Sequence, residues 1–296
     1  MRRGSFIAPA AVILLLSSAV GASAQDAAEE PRRSGWYGGG GVGANWASNI
    51  SQRGWNRDPL CYPTDACFDL DPRPEVSGYR WRYDIAAATG PVFELSAGFI
   101  AKRARVELAF GQMWNDLDQM FLSVTDYDGV AMEDRVGSTV TSDTSSSIDH
   151  SAVRMLTANA YYDFPAGSLV SPYLGAGVGP AFVTIAGVRF SDAYMDTAVN
   201  GEVYDPPLSF YNASQDDDLS GTTLAGHLHA GADFRIAARI SVGLKLTYSM
   251  LGDIESRGGY DLHPAHAFDP DFEHHTTFAG ARFWALMVTV KYFFGN

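Results

Sequence analysis

The chain has 296 residues, with 34 Asp and Glu against 21 Lys and Arg and a formal net charge of −13. This charge excludes nucleic acid as the main partner, because phosphate binding needs a basic surface. An aromatic content of 12% excludes a disordered chain, and 30 Gly beside many aromatic residues are typical of an all-β protein. A transmembrane helix is excluded because no apolar run of about 18 residues follows residue 24.

The N-terminal segment has the three parts of a secretory signal peptide. Arg2 and Arg3 supply positive charge, residues 10–16 (AAVILLL) form a short apolar stretch, and residues 22–24 (Ala-Ser-Ala) form a cleavage site. The apolar stretch is too short for a membrane anchor. We therefore predict that residues 1–24 are removed and that the chain leaves the cytoplasm through the Sec pathway.

A polar segment, residues 25–34, follows and is predicted to be a periplasmic stub. The only two cysteines, Cys61 and Cys67, lie six residues apart in a segment that contains several prolines. This pair does not match a structural zinc site, which needs four ligands. Because the chain is exported, we predict a local disulfide that stabilises the fold by about 2–2.5 kcal/mol on the loop-entropy model.

From residue 36 onward, segments of about ten residues alternate apolar with small or polar side chains. Gaps after the second, fourth and sixth segments are short, whereas the other gaps run to tens of residues. This pattern is typical of a closed, antiparallel up-and-down transmembrane β-barrel, which we assign to residues 35–296. A ten-stranded barrel is the alternative if residues 79–101 contain a hairpin. The eight predicted strands are Trp36–Trp46, Val92–Ala101, Arg105–Trp114, Val153–Asp163, Tyr173–Thr184, Leu224–Arg235, Ile240–Met250 and Arg282–Phe294.

One parity of each predicted strand carries no charge and is assigned to the lipid. This assignment places aromatic residues at both ends of the strands, as anchoring at the two membrane surfaces requires. A soluble β-sandwich also alternates, but it would not combine a signal peptide, two aromatic girdles and long loops at one end only. The girdle residues are Trp36, Phe99, Tyr162, Phe234, Tyr292 and Phe294 at the short-turn end, and Trp46, Trp114, Phe182, Tyr248 and Trp284 at the long-loop end.

The opposite parity is polar or small and is assigned to the lumen. We predict that two acids and two lysines pair across this narrow interior, because an unpaired charge in a confined space is costly. Since eight strands leave an interior that side chains just fill, the polar residues are predicted to form a plug. The predicted plug consists of Glu94, Glu107, Tyr161, His227, His229, Lys245 and Lys291.

Two alternatives concern catalysis and metal binding. His227 suggests a resemblance to lipid A deacylases, but these enzymes carry a Ser two residues after the His, and His229 stands there. We therefore predict that the protein is not an enzyme and has no catalytic residue.

The last loop could bind a transition metal through four histidines, but no helix fixes their spacing, so we predict no metal and no cofactor. These histidines are His263, His266, His274 and His275.

The long loops carry most of the negative charge. Residues 116–149, 188–221 and 253–281 have net charges of −7, −6 and −5 when their acids and arginines are counted. Divalent-cation binding is one interpretation, with residues 216–218 (Asp-Asp-Asp) as the densest cluster. We favour a solvated surface kept soluble by repulsion, because no calcium-loop spacing with a central Gly is present.

Two stretches resemble a known family. Residues 159–165 (NAYYDFP) followed by residues 171–180 (SPYLGAGVGP) are similar to the fourth strand, turn and glycine-rich fifth strand of eight-stranded outer-membrane β-barrels. This family includes bacterial surface antigens, opacity-type proteins and the transmembrane part of OmpA-like porins. Residues 286–294 resemble its C-terminal insertion signal, although the sequence ends on Gly-Asn instead of an aromatic residue. No peptidoglycan-binding domain of the OmpA kind is expected.

These observations predict an integral protein of the bacterial outer membrane with a structural or surface-antigen role. Its acidic extracellular loops would carry the interactions, since loops on a rigid scaffold are the usual seat of recognition. A porin-like channel for small solutes is the first alternative, and a lipid-modifying enzyme is the second. The expected partners are outer-membrane lipid and lipopolysaccharide, the barrel-insertion machinery, and an extracellular or host ligand at the loops.

Overall fold

The computed structural model describes residues 34–63, 67–68, 70–72, 75–76, 78–129, 142–166, 169–194, 204–256, 260–261 and 273–294. The predicted signal peptide and the predicted stub up to residue 33 lie outside the described residues. His263 and His266 of the last loop also lie outside them. The fold is therefore described from residue 34 onward.

The described residues form strands almost throughout, with one short 3₁₀ helix at Leu208–Tyr211. None of their helices is long and apolar enough to cross a lipid bilayer. The strands are β1 (Ser34–Ala47), β2 (Ile50–Arg57), β3 (Tyr79–Ala87), β4 (Gly90–Ala101), β5 (Ala104–Asp126), β6 (Ser142–Ser147), β7 (His150–Asp163), β8 (Val170–Tyr194), β9 (Ala213–Ala237), β10 (Ile240–Leu251), β11 (Ile254–Ser256), β12 (Tyr260–Asp261), β13 (Glu273–Ala279) and β14 (Arg282–Phe294).

Eight of these strands close into an antiparallel ring in the order β1, β4, β5, β7, β8, β9, β10, β14 and back to β1. Each ring strand contains one of the predicted segments, so the predicted eight-stranded barrel is confirmed. The connections from β4 to β5, from β7 to β8 and from β9 to β10 are short and lie at one end. Closure leaves no unpaired strand edge, which a β-structure in lipid requires.

Exposure along the ring strands follows the predicted parity. Leu244 is 50% exposed on the outside, whereas Lys245 beside it is 3% exposed and faces the lumen. The aromatic girdles form contacts at both ends of the ring. The Trp36 and Phe99 ring centroids lie 5.3 Å apart at the short-turn end, and those of Tyr248 and Trp284 lie 4.7 Å apart at the other end. The predicted lipid-facing register is confirmed by these exposures and pairings.

The sheet continues beyond the bilayer at the long-loop end. β5, β8 and β9 have 23, 25 and 25 residues, about twice the length that a tilted membrane strand needs. Their distal halves pair with short strands: β5 pairs with β3, β8 with β6, and β9 with β12. β3 also pairs with β2, β2 pairs with β13, and β13 pairs with β11. We call this part the extracellular extension.

The predicted long connections at one end are present, and the structure adds that each of these predicted stretches contains strand. One strand of the extension, β6 (SDTSSS), is polar on both faces and lacks the apolar alternation that identified the ring strands. The ten-stranded alternative is wrong. Residues 79–101 do contain an additional strand, β3, but it pairs with β2 and the distal half of β5 and does not enter the ring.

The described residues form two apolar cores. The first fills the upper lumen and the base of the extension, and includes Met113, Val153, Phe283 and Met287. The second lies in the extension, where the Cys61–Cys67 disulfide, predicted from the sequence, is present. There Cys61 and Phe68 pack with Tyr194, Leu208 and Tyr211. The disulfide segment is therefore fixed onto the segment around the 3₁₀ helix.

Candidate functional site

The lower lumen is crossed by Lys245, which extends from β10 toward the opposite wall. Its Nζ donates hydrogen bonds to Glu94 Oε1 at 2.7 Å and Oε2 at 2.9 Å on β4. The same Nζ lies 3.8 Å from Glu107 Oε1 on β5 and donates to the Tyr161 hydroxyl at 3.0 Å on β7. One ammonium group therefore links four strands across the interior.

Glu107 is the acceptor at the centre of this arrangement. The Tyr37 and Tyr161 hydroxyls each donate to its carboxylate at 2.8 Å, and Asn159 Nδ2 donates at 3.4 Å. Glycines make room for the inward tyrosines, since a Cβ at Gly98 would lie only 2.6 Å from Tyr37 Cζ. A fully hydrogen-bonded buried network of this kind is rigid and fixes one arrangement of the lumen.

A second set of ion pairs lies closer to the short-turn end. Lys291 Nζ donates to Asp233 Oδ1 at 2.7 Å and Oδ2 at 2.8 Å, and Arg105 Nη1 donates to Asp233 Oδ2 at 2.9 Å. Arg105 Nη2 also lies 2.7 Å from Asp163 Oδ1. The structure therefore gives Lys291 the partner Asp233, whereas the sequence led us to expect Glu94 or Glu107.

Four residues around these ion pairs, Arg105, Asp163, Tyr173 and Asp233, were not among the predicted plug residues. Each has the lumen-facing parity of its strand, and Arg105 lies two residues before Glu107. If the lumen-facing parity had been followed to the ends of the predicted strands, it would have identified these residues as part of the plug. The Arg105 guanidinium stacks over the Tyr173 ring at 4.3 Å from its centroid. This contact adds a cation–π interaction to the ion pairs.

His227 and His229 lie above the ion pairs and bond to neutral groups. His227 Nδ1 lies 2.9 Å from Ser249 Oγ, and His229 Nδ1 lies 3.0 Å from Thr247 Oγ1. His229 Nε2 lies 3.3 Å from Asn159 Oδ1, whereas His227 Nε2 has no hydrogen-bond partner among the described residues. The structure therefore places both histidines in the lumen with Tyr161 and the charged residues, but their hydrogen bonds go to Ser, Thr and Asn side chains.

The upper lumen is closed by an apolar layer that the sequence did not reveal. Met113, Val153, Phe283 and Met287 face inward there, and each is at most 4% exposed. Apolar residues on both faces of a strand give no alternation, so parity cannot assign them to the lumen. Between this layer and the ion pairs lies a cavity of about 30 Å³, room for about one or two water molecules.

The acidic cluster of the extension faces Arg189. Asp149 accepts two hydrogen bonds from Arg189, from Nη1 at 3.0 Å and from Nη2 at 2.9 Å, and Asp216 Oδ1 lies 3.6 Å from Arg189 Nε. These hydrogen bonds lower the pKa of the Asp149 carboxyl below its usual value. Asp218 Oδ1 accepts from the Gly187 backbone N–H at 2.9 Å. Asp217 Oδ1 accepts from the Asp218 backbone N–H at 2.8 Å, so all three consecutive aspartates are engaged with protein groups.

His274 and His275 are separated by the pleat of β13. His274 stacks on Trp81, with ring centroids 5.1 Å apart, on the inner face of the extension. His275 stacks on Trp55 at 4.3 Å on the opposite face, because successive side chains of a strand alternate. These two neighbours therefore do not converge on one metal ion.

A closed eight-stranded ring with an apolar, girdled exterior and a charged interior defines an outer-membrane β-barrel. Residues 12–283 match the family model described as "Outer membrane protein beta-barrel domain". The chain belongs to this family, and the protein resides in the bacterial outer membrane. A comparison with curated protein sequences finds no match.

Several solved structures are similar to the chain. Neisserial surface protein A (NspA) is 13% identical, with a TM-score of 0.40 over 88% of this chain and 97% of its own. OprG from Pseudomonas aeruginosa is 13% identical, with a TM-score of 0.41 over 89% of this chain and 98% of its own. The protease OmpT from Escherichia coli is 9% identical, with a TM-score of 0.34 over 90% and 99%. Similarities this distant carry no information on the function.

Proposed function

We propose that the protein is a structural and surface-interaction barrel whose lumen is closed and whose extracellular extension carries the interactions. The observation that supports this most directly is the bridge from Lys245 to Glu94 and Glu107, which crosses the lumen between opposite walls. A solute would have to break these ion pairs and leave buried charges unpaired, which is costly. The barrel then serves as a rigid mount for the extension.

A porin-like channel is the alternative that this arrangement disfavours. The apolar layer of Met113 and Met287 lies in series with the ion pairs, so a polar solute would meet two different barriers. Opening the first barrier alone would still leave a dry constriction above it. A small eight-stranded barrel with a filled interior is the expected geometry for a non-porin.

An enzyme is disfavoured by the placement of the one Ser–His pair in the described lumen. Ser249 and His227 are 2% and 5% exposed, and Ser249 lies directly across from Phe283 of the apolar layer on the neighbouring strand. His227 Nε2 has no carboxylate among the described residues to orient the ring, as a Ser–His–acid arrangement needs. A substrate would not reach this Ser. We therefore propose that the protein is not an enzyme.

The partners follow from the surface that each part presents. The girdled exterior faces outer-membrane lipid and lipopolysaccharide, and the aromatic end of β14 (Tyr292 and Phe294) would be read by the barrel-insertion machinery. An extracellular or host ligand would meet the extension. The long-loop end faces outward in this class of barrel, so the extension is the part that a soluble partner can reach.

Conductance in planar bilayers tests the closed lumen. We expect only rare, small events from the unmutated protein. Replacing Glu94 and Lys245 by Ala removes the ion-pair barrier and should increase the conductance slightly. Adding Met113→Ala and Met287→Ala should increase the conductance further, because the apolar layer is a second barrier in series with the first. The control is Asp149→Ala with Arg189→Ala, an exposed ion pair outside the lumen, which should change nothing. Large, steady conductance from the unmutated protein would favour the channel instead.

A further inference from the structure

A cavity of about 550 Å³ lies inside the extracellular extension, above the apolar layer. Its volume falls in the range of roughly 300–1,000 Å³ that is usual for small-molecule sites. β2, β3 and β5 form one wall, and β6, β8 and β9 form the other. Val188 belongs both to the cavity lining and to the apolar core below it, so the core forms the cavity floor.

β3 supplies an aromatic surface to the first wall. Tyr79, Trp81 and Tyr83 alternate along β3, which places all three on the cavity side. Trp81 lies over Gly54 of β2, where a Cβ would overlap the indole ring, and it stacks on His274 of β13. The glycine thus allows the indole to lie flat against the wall. The result is a flat aromatic surface at the side of the cavity.

The opposite wall is rich in hydroxyl groups. Ser142, Thr144 and Ser146 of β6 line it, and Thr144 Oγ1 donates to Asp192 Oδ1 at 2.9 Å. On the β5 side, Gln119 Nε2 donates to Gln52 Oε1 at 2.5 Å. Gln119 Oε1 is buried and has no hydrogen-bond partner among the described residues. A buried acceptor without a donor is unfavourable, and a ligand hydroxyl that donates to Gln119 Oε1 would relieve this cost.

The cavity is close to electrically neutral. Among the described lining residues, Arg189 and Asp192 are the Asp, Glu, Lys or Arg side chains, and their charges cancel. Arg189 is held by Asp149, and Asp192 accepts from Thr144 and from the Tyr194 hydroxyl at 3.3 Å. Charged groups that already have partners give no gain to a charged ligand. The site is therefore suited to a neutral one.

We propose that this cavity binds a neutral saccharide of one or two rings. The C–H faces of a pyranose pack on flat aromatic surfaces such as Trp81, and its hydroxyls match the Ser, Thr and Gln groups around them. A hydrocarbon ligand fits less well, because the aliphatic lining among the described residues is limited to Val124, Val188 and Ala213, whereas seven lining residues are aromatic. The tyrosines offer both a ring face and a hydroxyl.

The disulfide segment gives this site a fixed edge. Tyr62, beside Cys61, lines the cavity, and its hydroxyl donates to Asp58. Phe68 packs edge-to-face on Tyr211 with ring centroids 5.5 Å apart, and both belong to the apolar cluster around Tyr194. The disulfide thus ties one cavity wall to the other. A pre-formed site of this kind loses less entropy on binding.

This site deepens the proposed surface-interaction role and rests on it, but it is tested separately. The full-length protein is folded in detergent micelles and titrated with glucose, galactose, N-acetylglucosamine, lactose and maltose. Tryptophan fluorescence and saturation-transfer NMR report binding. We expect saturable binding of at least one of these sugars, with no binding of the anionic N-acetylneuraminic acid. Conductance of the same samples reports the lumen, so an open channel and an empty cavity are distinguishable failures.

Three variants locate the binding. Trp81→Ala should weaken the affinity about tenfold or more, the loss expected for one aromatic contact. Trp55→Ala is the matched control, because Trp55 forms the equivalent stack with His275 on the outer face and does not line the cavity. If Trp81→Ala does not fold, Gln119→Leu removes the buried acceptor while retaining volume, and should also weaken binding. The proposal would be overturned if none of the five neutral sugars bound, or if toluene bound saturably and no sugar did. It would also be overturned if Trp55→Ala and Trp81→Ala lowered the sugar affinity equally.

Discussion

Neighbouring residues of one strand meet opposite environments in this molecule. Leu244 faces the lipid, whereas the next residue, Lys245, is 3% exposed and bonds to Glu94 across the lumen. The same pleat separates His274 from His275 in the extension. Because the side-chain period of a strand is two, a shift of one residue would place a charge in lipid and a leucine among ion pairs. Parity is therefore the main determinant of each residue's role.

The lipid-facing register can be tested with one arginine. Leu244→Arg should lower the free energy of unfolding in lipid vesicles by about 2–4 kcal/mol, because position 244 lies near mid-strand in the hydrocarbon. Met120→Arg is the matched control, since Met120 is an exposed apolar residue at 57% but lies above the long-loop girdle. Its cost should be about 0–1 kcal/mol. Equal costs at the two positions, measured by urea titration, would contradict the register.

The ring strands could be predicted from the sequence and most of the extension could not, for one physical reason. In the ring, one face meets lipid, so Leu95, Leu108 and Leu228 alternate with small or polar residues. No lipid-facing surface is required in the extension, so β6 (SDTSSS) can be polar throughout and is held by backbone ladder bonds to β8. Backbone hydrogen bonding does not depend on an alternation of apolar side chains, so the sequence pattern does not indicate such a strand.

The lumen shows the same division between what parity predicts and what it does not. The charged residues Glu94, Glu107, Lys245 and Lys291 were assigned to the interior by parity, and all four lie there. Which acid meets which base depends on strand tilt and side-chain reach across the ring. For this reason Lys291 meets Asp233 instead of Glu94 or Glu107.

The orientation of the strands can be tested by labelling single introduced cysteines in intact cells. Ala237→Cys, at the short turn that ends β9, should react with a membrane-impermeant maleimide only after the outer membrane is permeabilised. Ser145→Cys, on the exposed strand β6, should react without permeabilisation. The native cysteines form a disulfide and do not compete for the label. Labelling of Ala237→Cys in intact cells would show that the barrel is inserted the other way round.

The whole molecule consists of two parts with different sources of stability. The ring is closed by the pairing of β1 with β14, so all ring strands have a neighbour on both sides and no edge faces lipid. The extension depends on two apolar cores and on the Cys61–Cys67 disulfide, which lies outside the ring strands. Loss of order in the extension is therefore compatible with an intact ring.

This division predicts how the protein behaves on a denaturing gel. A sample folded in detergent should migrate differently before and after boiling in SDS, because the closed ring resists the detergent until it is heated. A reducing agent added without boiling should leave the folded mobility in place, since the disulfide lies outside the ring. Replacing both cysteines with serine should give the same two mobilities. Identical migration before and after boiling would be inconsistent with a closed barrel, and loss of the folded form on reduction alone would show that the ring depends on the extension.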